Sequence, residues 1–274
     1  MSNFLRKIKN VVLKRHVYGL TSPLRVLPDF IVIGAVRSGT TSLYHYLGQH
    51  PIIVKSAYDE LGYFDSNYEL GLNWYKSLFP SVFQKRKIEK RFGKFMTYEV
   101  TPFYIYNEKV PRRIHKILPD IKLIVILRNP VDRAYSNYFL GNQKEKFEDV
   151  IKKERETIEK IDRSNKEEYY KFVHTSMLAR GFYAEQLEKW YKVFHKEQIL
   201  IIKSEELATE TNKILNDIFH FLGLEKYNIQ DSSKKNKINY EPMKKETRKD
   251  LIEFFKPYNK ILYSLVERDF GWEN

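Results

Sequence analysis

The chain has 274 residues, 42% of them hydrophobic, which is enough for one large domain with a sizeable core. Its formal net charge of +13 favours anionic partners such as nucleotides, acidic polysaccharides, nucleic acids or a membrane surface. The absence of cysteine excludes disulfides and thiolate metal sites, and is consistent with a reducing cytoplasm. No apolar run approaches the roughly 20 residues needed to cross a bilayer.

A basic leader occupies residues 1–27, ahead of what we predict to be a single domain at 28–274. Residues 4–15 have a basic amphipathic pattern that is too polar for a secretory signal. The pattern is typical of a helix packed on the domain or of a frayed leader, and a peripheral membrane anchor is the alternative. We therefore expect a cytoplasmic location, with peripheral contact at the inner face of the membrane left open.

Short apolar runs alternate with helical patterns along the rest of the chain. The runs predict strands at 30–33, 95–99, 123–127 and 199–202. Helical spacing predicts helices at 40–49, 112–118, 131–140, 182–194, 211–222 and 248–270. The highly charged segment 144–168 is interpreted as a mobile or solvated helical insertion, and 231–240 as a loop. Buried strands alternating with helices predict an α/β fold, with a mainly parallel central sheet flanked by helices on both faces.

A phosphate-binding pattern follows the first predicted strand. The strand ends in a glycine, and a second glycine precedes three hydroxyl residues and a helix: Gly34, Gly39, Thr40, Thr41 and Ser42. Backbone N–H groups in such a loop, with the dipole of the following helix, form an anion site. Thr40 stands where a triphosphate-binding P-loop needs lysine, and Arg37 supplies positive charge instead. The alternative is a glycine turn capped by Thr and Ser.

A second anion-binding pattern follows the strand predicted at 123–127. Arg128 stands at the carboxyl end of that strand, where open α/β sheets bind their ligands. Ser136 lies about two turns into the next helix and can face the same crevice. Together they could hold a second phosphate, with the arginine as a bidentate donor. The alternative is an arginine that caps the helix or pairs with Asp132.

Taken together, the two patterns resemble the sulfotransferases that use 3′-phosphoadenosine-5′-phosphosulfate (PAPS). More narrowly, the sequence is similar to the heparan sulfate sulfotransferases and their bacterial relatives. The resemblance runs from about residue 28 and includes short segments at 60–65, 71–80, 99–102 and 268–272. It implies a P-loop-like fold and metal-independent transfer of a sulfuryl group to a hydroxyl or amine of a glycan or glycoside. Adenosine 3′,5′-bisphosphate is the implied product, and the basic charge favours an acidic saccharide as acceptor.

The resemblance also implies roles for individual residues. It gives the 5′-phosphosulfate to the first pattern: Arg37, Ser38, Gly39, Thr40, Thr41 and Ser42. It gives the 3′-phosphate to Arg128 and Ser136, the adenine side to Tyr183, and a closing contact to Lys237. Glu60 falls at the position of the catalytic base, and Arg37 would act on the leaving phosphate electrostatically. Glu60 as an ordinary surface carboxylate and Tyr183 as a core residue remain the alternatives.

Some positions depart from the family pattern. Ile238 and Asn239 replace the usual Gly and Arg beside the closing lysine, and Val100 stands where a lysine near the acceptor is frequent. Two other functions compete with sulfotransfer: a P-loop nucleotide kinase and a non-catalytic protein that binds acidic glycans. No nucleic-acid-binding module is recognisable, so no nucleic-acid partner is expected. The histidines lack metal-ligand spacing, and we expect no metal site.

Overall fold

The central sheet has five strands. A computed structural model describes residues 20–141, 144–233 and 240–273. The strands are β1 (Phe30–Gly34), β2 (Ile53–Lys55), β3 (Met96–Val100), β4 (Lys122–Leu127) and β5 (Ile199–Lys203). Their order is β2-β3-β1-β4-β5, and every neighbouring pair is parallel. The predicted parallel α/β sheet is confirmed.

Helices connect the strands. They are α1 (Thr40–Leu47), α2 (Gly71–Ser77), α3 (Val82–Phe92), α4 (Val110–Ile117), α5 (Pro130–Tyr138), α6 (Phe147–Lys160), α7 (Lys166–Thr175), α8 (Tyr183–Tyr191), α9 (Ser204–Thr209), α10 (Thr211–Phe221) and α11 (Lys245–Val266). Short 3₁₀ turns lie between some of them, including Tyr104–Tyr106, which begins four residues after the last residue of β3. Helices therefore follow each strand that the sequence predicted.

Two hydrophobic clusters lie on the opposite faces of the sheet. Side chains alternate along a strand, so Ile31 of β1 joins one cluster and Val32 joins the other. Helices α1 and α10 contribute to the cluster on the Val32 face, and α8 and α11 to the cluster on the Ile31 face. Strand β4 is buried along nearly its whole length because both of its faces are covered. This is the two-sided helical covering that the sequence predicted.

Strand β1 stands at the point where the strand order reverses. The chain passes from β1 to β2 and β3 on one side of the sheet, and then to β4 and β5 on the other. In parallel sheets all carboxyl ends lie at one edge, and ligands bind in the crevice at such a reversal. The segments that follow β1, β3 and β4 therefore meet at one edge of the sheet.

The charged segment 144–168 is helical, as predicted, but it docks on the main core, so the prediction of a solvated insertion is wrong. It forms α6 and the start of α7, and Phe147, Ile151 and Ile158 are buried against the main core. The Glu154 carboxylate accepts hydrogen bonds from the N–H groups of Met177 and Leu178, at 2.7 and 2.8 Å. A narrow apolar stripe within a mostly charged helix is enough to dock it.

The absence of a side chain at Gly34 lets β1 pack closely against Ile105, in the turn that follows β3. A Cβ atom there would lie 2.7 Å from Cβ of buried Ile105, so any side chain must displace the turn that follows β3. We expect Gly34→Ala to lower the free energy of unfolding by about 1–3 kcal/mol through overpacking, as measured by urea denaturation. Adding Ile105→Ala should not restore that loss, because alanine keeps the Cβ atom that lies 2.7 Å away. A Gly34→Ala protein as stable as the parent would contradict this.

Candidate active site

The loop after β1 turns sharply into α1. Arg37 and Gly39 both have left-handed backbone conformations, with φ of 67° and 100°. Gly39 is the residue before the helix, and α1 begins at Thr40. The first turn of an α-helix presents N–H groups that have no acceptor within the helix, and the dipole adds positive potential there. The loop that the sequence predicts to bind an anion therefore lies at the carboxyl end of the central strand, and its binding role stays a prediction.

The segment after β4 is held by its own capping contacts. Asn129 is the N-cap of α5, and its side chain accepts from the N–H of Val131 at 2.9 Å. The N–H of Asn129 donates to the Glu205 carboxylate at 2.8 Å, which links this segment to α9. Half-buried Arg128 precedes this cap, and buried Ser136 lies on the helix that follows it. The alternative pairing of Arg128 with Asp132 is not found, since Asp132 pairs with Arg248 at 2.6 Å.

The two predicted phosphate-binding segments contact each other directly. The guanidinium of Arg37 donates through Nε and Nη2 to Oγ of Ser136, at 3.1 and 3.0 Å. Arg128 donates through Nη1 to the carbonyl of Arg37 at 3.2 Å. The hydroxyl of Tyr183 donates to the carbonyl of Arg128 at 2.9 Å. Residues about a hundred positions apart in sequence therefore form one cluster.

The cluster carries positive charge, and no described residue provides a carboxylate partner. Among the residues that the structure describes, no acidic oxygen lies within 4.0 Å of the guanidinium of Arg37 or Arg128. Burial, and secondarily the charge of Arg128, lower the pKa of Arg37. The hydroxyl of Ser38 is also buried; Tyr183 lies beside it, yet it makes no hydrogen bond of standard geometry with the described residues. These residues suit a ligand with two anionic groups.

Tyr183 is a core residue rather than a lining residue. Its side chain is 1% exposed, and Arg133, which is fully buried on α5, lies next to it. Tyr183 therefore packs in the core, which was the alternative interpretation of the sequence. Its contact with the candidate site is the hydrogen bond from its hydroxyl to the carbonyl of Arg128. Lys237 and residues 4–15 lie outside the described residues.

Glu60 lies on the same edge of the sheet, in the segment that follows β2. Its N–H donates to the carbonyl of Val100, the last residue of β3, at 2.7 Å. Its side chain is exposed and lines a cleft of about 960 Å³. Amide, aromatic and charged side chains share that cleft, and include Asn67, Phe103, Asn107, Lys109, Arg113, Tyr170 and His174. An exposed carboxylate that lines a cleft of this size can act as a proton acceptor for a bound hydroxyl or amine.

Sequence reasoning missed the residues behind Glu60. Glu99, on β3, is fully buried, and burial raises its pKa to about 8. Tyr104 follows it on the 3₁₀ turn and accepts a hydrogen bond from the N–H of Phe64. The available signal was an acidic residue inside a buried strand, which is rare without a specific role.

Metal binding was not expected, and the described parts of the chain contain no cluster of three His, Asp or Glu residues that could hold a metal ion. Nor does any helix in those parts have the length and apolar character to span a membrane.

The fold defines a class, the α/β proteins with a mainly parallel sheet, and the candidate site lies at the reversal of strand order, where proteins of that class bind their ligands. The family model for the sulfotransferase domain matches residues 27–258. The chain therefore belongs to the sulfotransferase family, and it is a transferase enzyme. The predicted family resemblance is confirmed.

Two curated proteins and one solved structure are similar to this chain over most of its length. Membrane-associated sulfotransferase kil1 of Dictyostelium discoideum is 31% identical, over 92% of this chain and 68% of that protein. Heparan sulfate glucosamine 3-O-sulfotransferase 3A1 of Mus musculus is 30% identical, over 90% of this chain and 65% of that protein. The chain spans about two thirds of the length of these relatives. A sulfotransferase structure from Alicyclobacillus acidocaldarius is 28% identical, covers 91% of this chain and all of that chain, and has a TM-score of 0.68.

These comparisons correct the prediction of a cytoplasmic location. The Dictyostelium relative, which aligns with nearly all of this chain, is named as membrane-associated. Lack of cysteine and of a long apolar run had suggested the cytoplasm, but neither feature reports on attachment at a membrane surface. The prediction is therefore wrong.

Proposed function

We propose that the protein transfers a sulfuryl group from PAPS to a hydroxyl or amine of a glycan or glycoside. The observation that carries the proposal is the contact of Arg37 with Ser136, which joins two anion-binding segments into one cationic cluster. A nucleotide with phosphate groups at both ends of its ribose is the ligand that such a pair fits. Membership of the sulfotransferase family supports the same donor.

The donor would be held at its two phosphorylated ends. We assign the 5′-phosphosulfate to the β1–α1 loop and the first turn of α1, namely Arg37, Ser38, Gly39, Thr40, Thr41 and Ser42. We assign the 3′-phosphate to Arg128 and Ser136, because a guanidinium can donate two parallel hydrogen bonds to a phosphate. Because Arg37 already contacts Ser136, the two subsites would share that hydroxyl as their boundary.

Catalysis would depend on positioning and charge. The donor supplies an activated sulfuryl group, and transfer resembles phosphoryl transfer in being an in-line displacement. The Glu60 carboxylate would accept the proton of the acceptor hydroxyl or amine as that oxygen or nitrogen attacks sulfur. Arg37 would offset the charge that develops on the leaving phosphate oxygen, and it cannot serve as the acid because a guanidinium keeps its proton.

The cleft beside Glu60 supports a saccharide acceptor. Aromatic faces at Phe103 and Tyr170, amides at Asn67 and Asn107, and several charged side chains line it. Sugars offer both apolar faces and many hydroxyls, which suits this mixture. The heparan sulfate relative acts on glucosamine units of a glycan, which supports the same class of acceptor here. The protein's net charge of +13 favours an acidic one.

Incubation with ³⁵S-labelled PAPS and a panel of acidic and neutral glycans tests the proposal. We expect label in a glycan, undiminished by EDTA. A nucleotide kinase would instead hydrolyse ATP in a Mg²⁺-dependent reaction, and a glycan-binding protein would bind glycans without affinity for adenosine 3′,5′-bisphosphate. No label in any acceptor, together with either of these results, would replace the proposal.

A further inference from the structure

A buried carboxyl lies directly beneath the segment that carries Glu60. Glu99 is 0% exposed, and both of its carboxyl oxygens are inaccessible. The hydroxyls of Tyr75 and Tyr104 lie beside it and lower its pKa, although neither makes a hydrogen bond of standard geometry to it. The other charged group that acts on it is Asp65, which is negative and disfavours ionisation. The catalytic scheme above gives this carboxyl no part.

Residues that directly follow Glu99 hold the segment 60–65, which we call the base loop. Three of its N–H groups donate to them: Glu60 to the Val100 carbonyl at 2.7 Å, Gly62 to Thr101 Oγ1 at 3.3 Å, and Phe64 to Tyr104 Oη at 3.0 Å. From the other side, Arg113 donates to the carbonyls of Phe64 and Asp65 at 2.7 and 3.2 Å. The base loop is thus fastened to the end of β3 by alternate residues.

The base loop needs such fastening. Glu60 has a φ of 56°, a left-handed conformation that costs a non-glycine residue of order 1 kcal/mol or more. Phe64 packs on the rings of Tyr75 and Tyr104, with centroids 5.1 and 5.9 Å apart, and the hydroxyls of those two tyrosines lie beside the Glu99 carboxyl. Displacement of the base loop would remove Phe64 from that packing and admit water to the carboxyl. Closure of the loop and neutrality of Glu99 are therefore linked.

We propose that Glu99 is a positioning residue whose neutral carboxyl keeps the base loop closed over β3, and whose ionisation favours an open loop with Glu60 displaced. The inference rests on the proposed role of Glu60 as the base. Glu99 does not contact the acceptor in this arrangement. It acts through Tyr104 and the backbone of the base loop.

The direction of the pH effect follows from linkage. With the loop closed the pKa of Glu99 is about 8, whereas in an open, hydrated state it returns towards its ordinary value of 4.5. The closed state is thus favoured most below pH 4.5, and that preference is lost as the pH rises towards 8. Between those values opening becomes about tenfold more populated per pH unit, and above them it levels off.

Hydrogen exchange tests the linkage on the intact protein, without substrate. We expect exchange of the amides at 60–66, corrected for its intrinsic pH dependence, to accelerate about tenfold per unit between pH 6 and 8 in the parent. Glu99→Gln should abolish that acceleration, because the amide cannot ionise, and the exposed-site control Glu156→Gln should retain it. The amides of β4 serve as the reference for global unfolding. Equal slopes in the parent and Glu99→Gln would overturn the proposal.

Tyr104→Phe separately tests whether the hydrogen bond from the base loop to Tyr104 positions Glu60. It removes the acceptor of the Phe64 N–H and keeps the ring, so we expect kcat to fall roughly tenfold with an unchanged KM for the donor. Turnover in Glu99→Gln should lose any decline between pH 7 and 9 that the parent shows. Unchanged kcat in Tyr104→Phe would overturn the proposal. If the parent transfers no sulfuryl group at all, the proposed function fails, while the exchange result still decides whether Glu99 controls the loop.

Discussion

Replacing Glu60 by glutamine is expected to lower turnover by roughly 10²–10⁴-fold, the usual range for loss of a general base. Glutamine has the same size and the same backbone preferences, so the left-handed conformation at this position costs no more than it does in the parent. The proton of the acceptor then has no carboxylate to receive it. Steady-state kinetics with a labelled donor measure the change.

Donor binding separates this effect from a folding defect. Affinity for adenosine 3′,5′-bisphosphate should stay close to that of the parent, because Glu60 lines the cleft that we propose for the acceptor and does not belong to the Arg37 cluster. Asp59→Asn is the matched control, since it removes a neighbouring carboxylate and should leave turnover unchanged. Near-normal turnover in Glu60→Gln would make Glu60 an ordinary surface carboxylate, which was the alternative interpretation.

Replacing Arg128 by alanine should weaken binding of adenosine 3′,5′-bisphosphate by roughly 10- to 100-fold, the equivalent of one charged hydrogen-bonding group. Binding of adenosine 5′-phosphate should weaken much less, because it lacks the phosphate that we assign to Arg128. The ratio of the two affinities matters, since Arg128 also donates to the Arg37 carbonyl and its loss disturbs the loop somewhat. Calorimetry with both nucleotides gives the ratio.

Two further variants sharpen the assignment. Arg128→Lys keeps the charge but loses the planar fork, so we expect an affinity between those of the parent and the alanine variant. Arg91→Ala removes an exposed arginine on α3 and should change neither affinity. Equal losses for both nucleotides in Arg128→Ala would contradict the assignment of the 3′-phosphate.

Sequence alone predicted the parts of the site that depend on local pattern. A glycine at the end of an apolar run and a second glycine before hydroxyl residues are typical of such a strand–loop–helix turn, and this chain forms one between β1 and α1. Arg128 could be placed at the edge of the sheet for a similar reason, because a strand buried on both faces is visible in sequence and its carboxyl end is a defined position. Its role in ligand binding stays a prediction. Local chemistry and topology together were sufficient there.

Other features could not be read from the chain because they arise from contacts between distant segments. Helix α3 has no buried residue, so it lacks the apolar stripe on which a helix prediction depends. Strand β2 has only three residues, too few for a period to show. The fastening of the base loop requires residues near 60 to meet residues near 100, and no spacing within either segment indicates that pairing.

The contact between Arg37 and Ser136 has a consequence for stability. These residues are 99 positions apart and lie beyond two strands that are hydrogen-bonded neighbours, so their contact exists only when β1 and β4 are paired. A nucleotide that bridges them would bind the assembled sheet and not the unfolded chain. Mass action then stabilises the whole fold, by about 2.7 kcal/mol when the nucleotide is present at a hundred times its dissociation constant. Bound nucleotide would thereby stabilise the pairing of β1 with β4, and that pairing is in turn required for the nucleotide to bind.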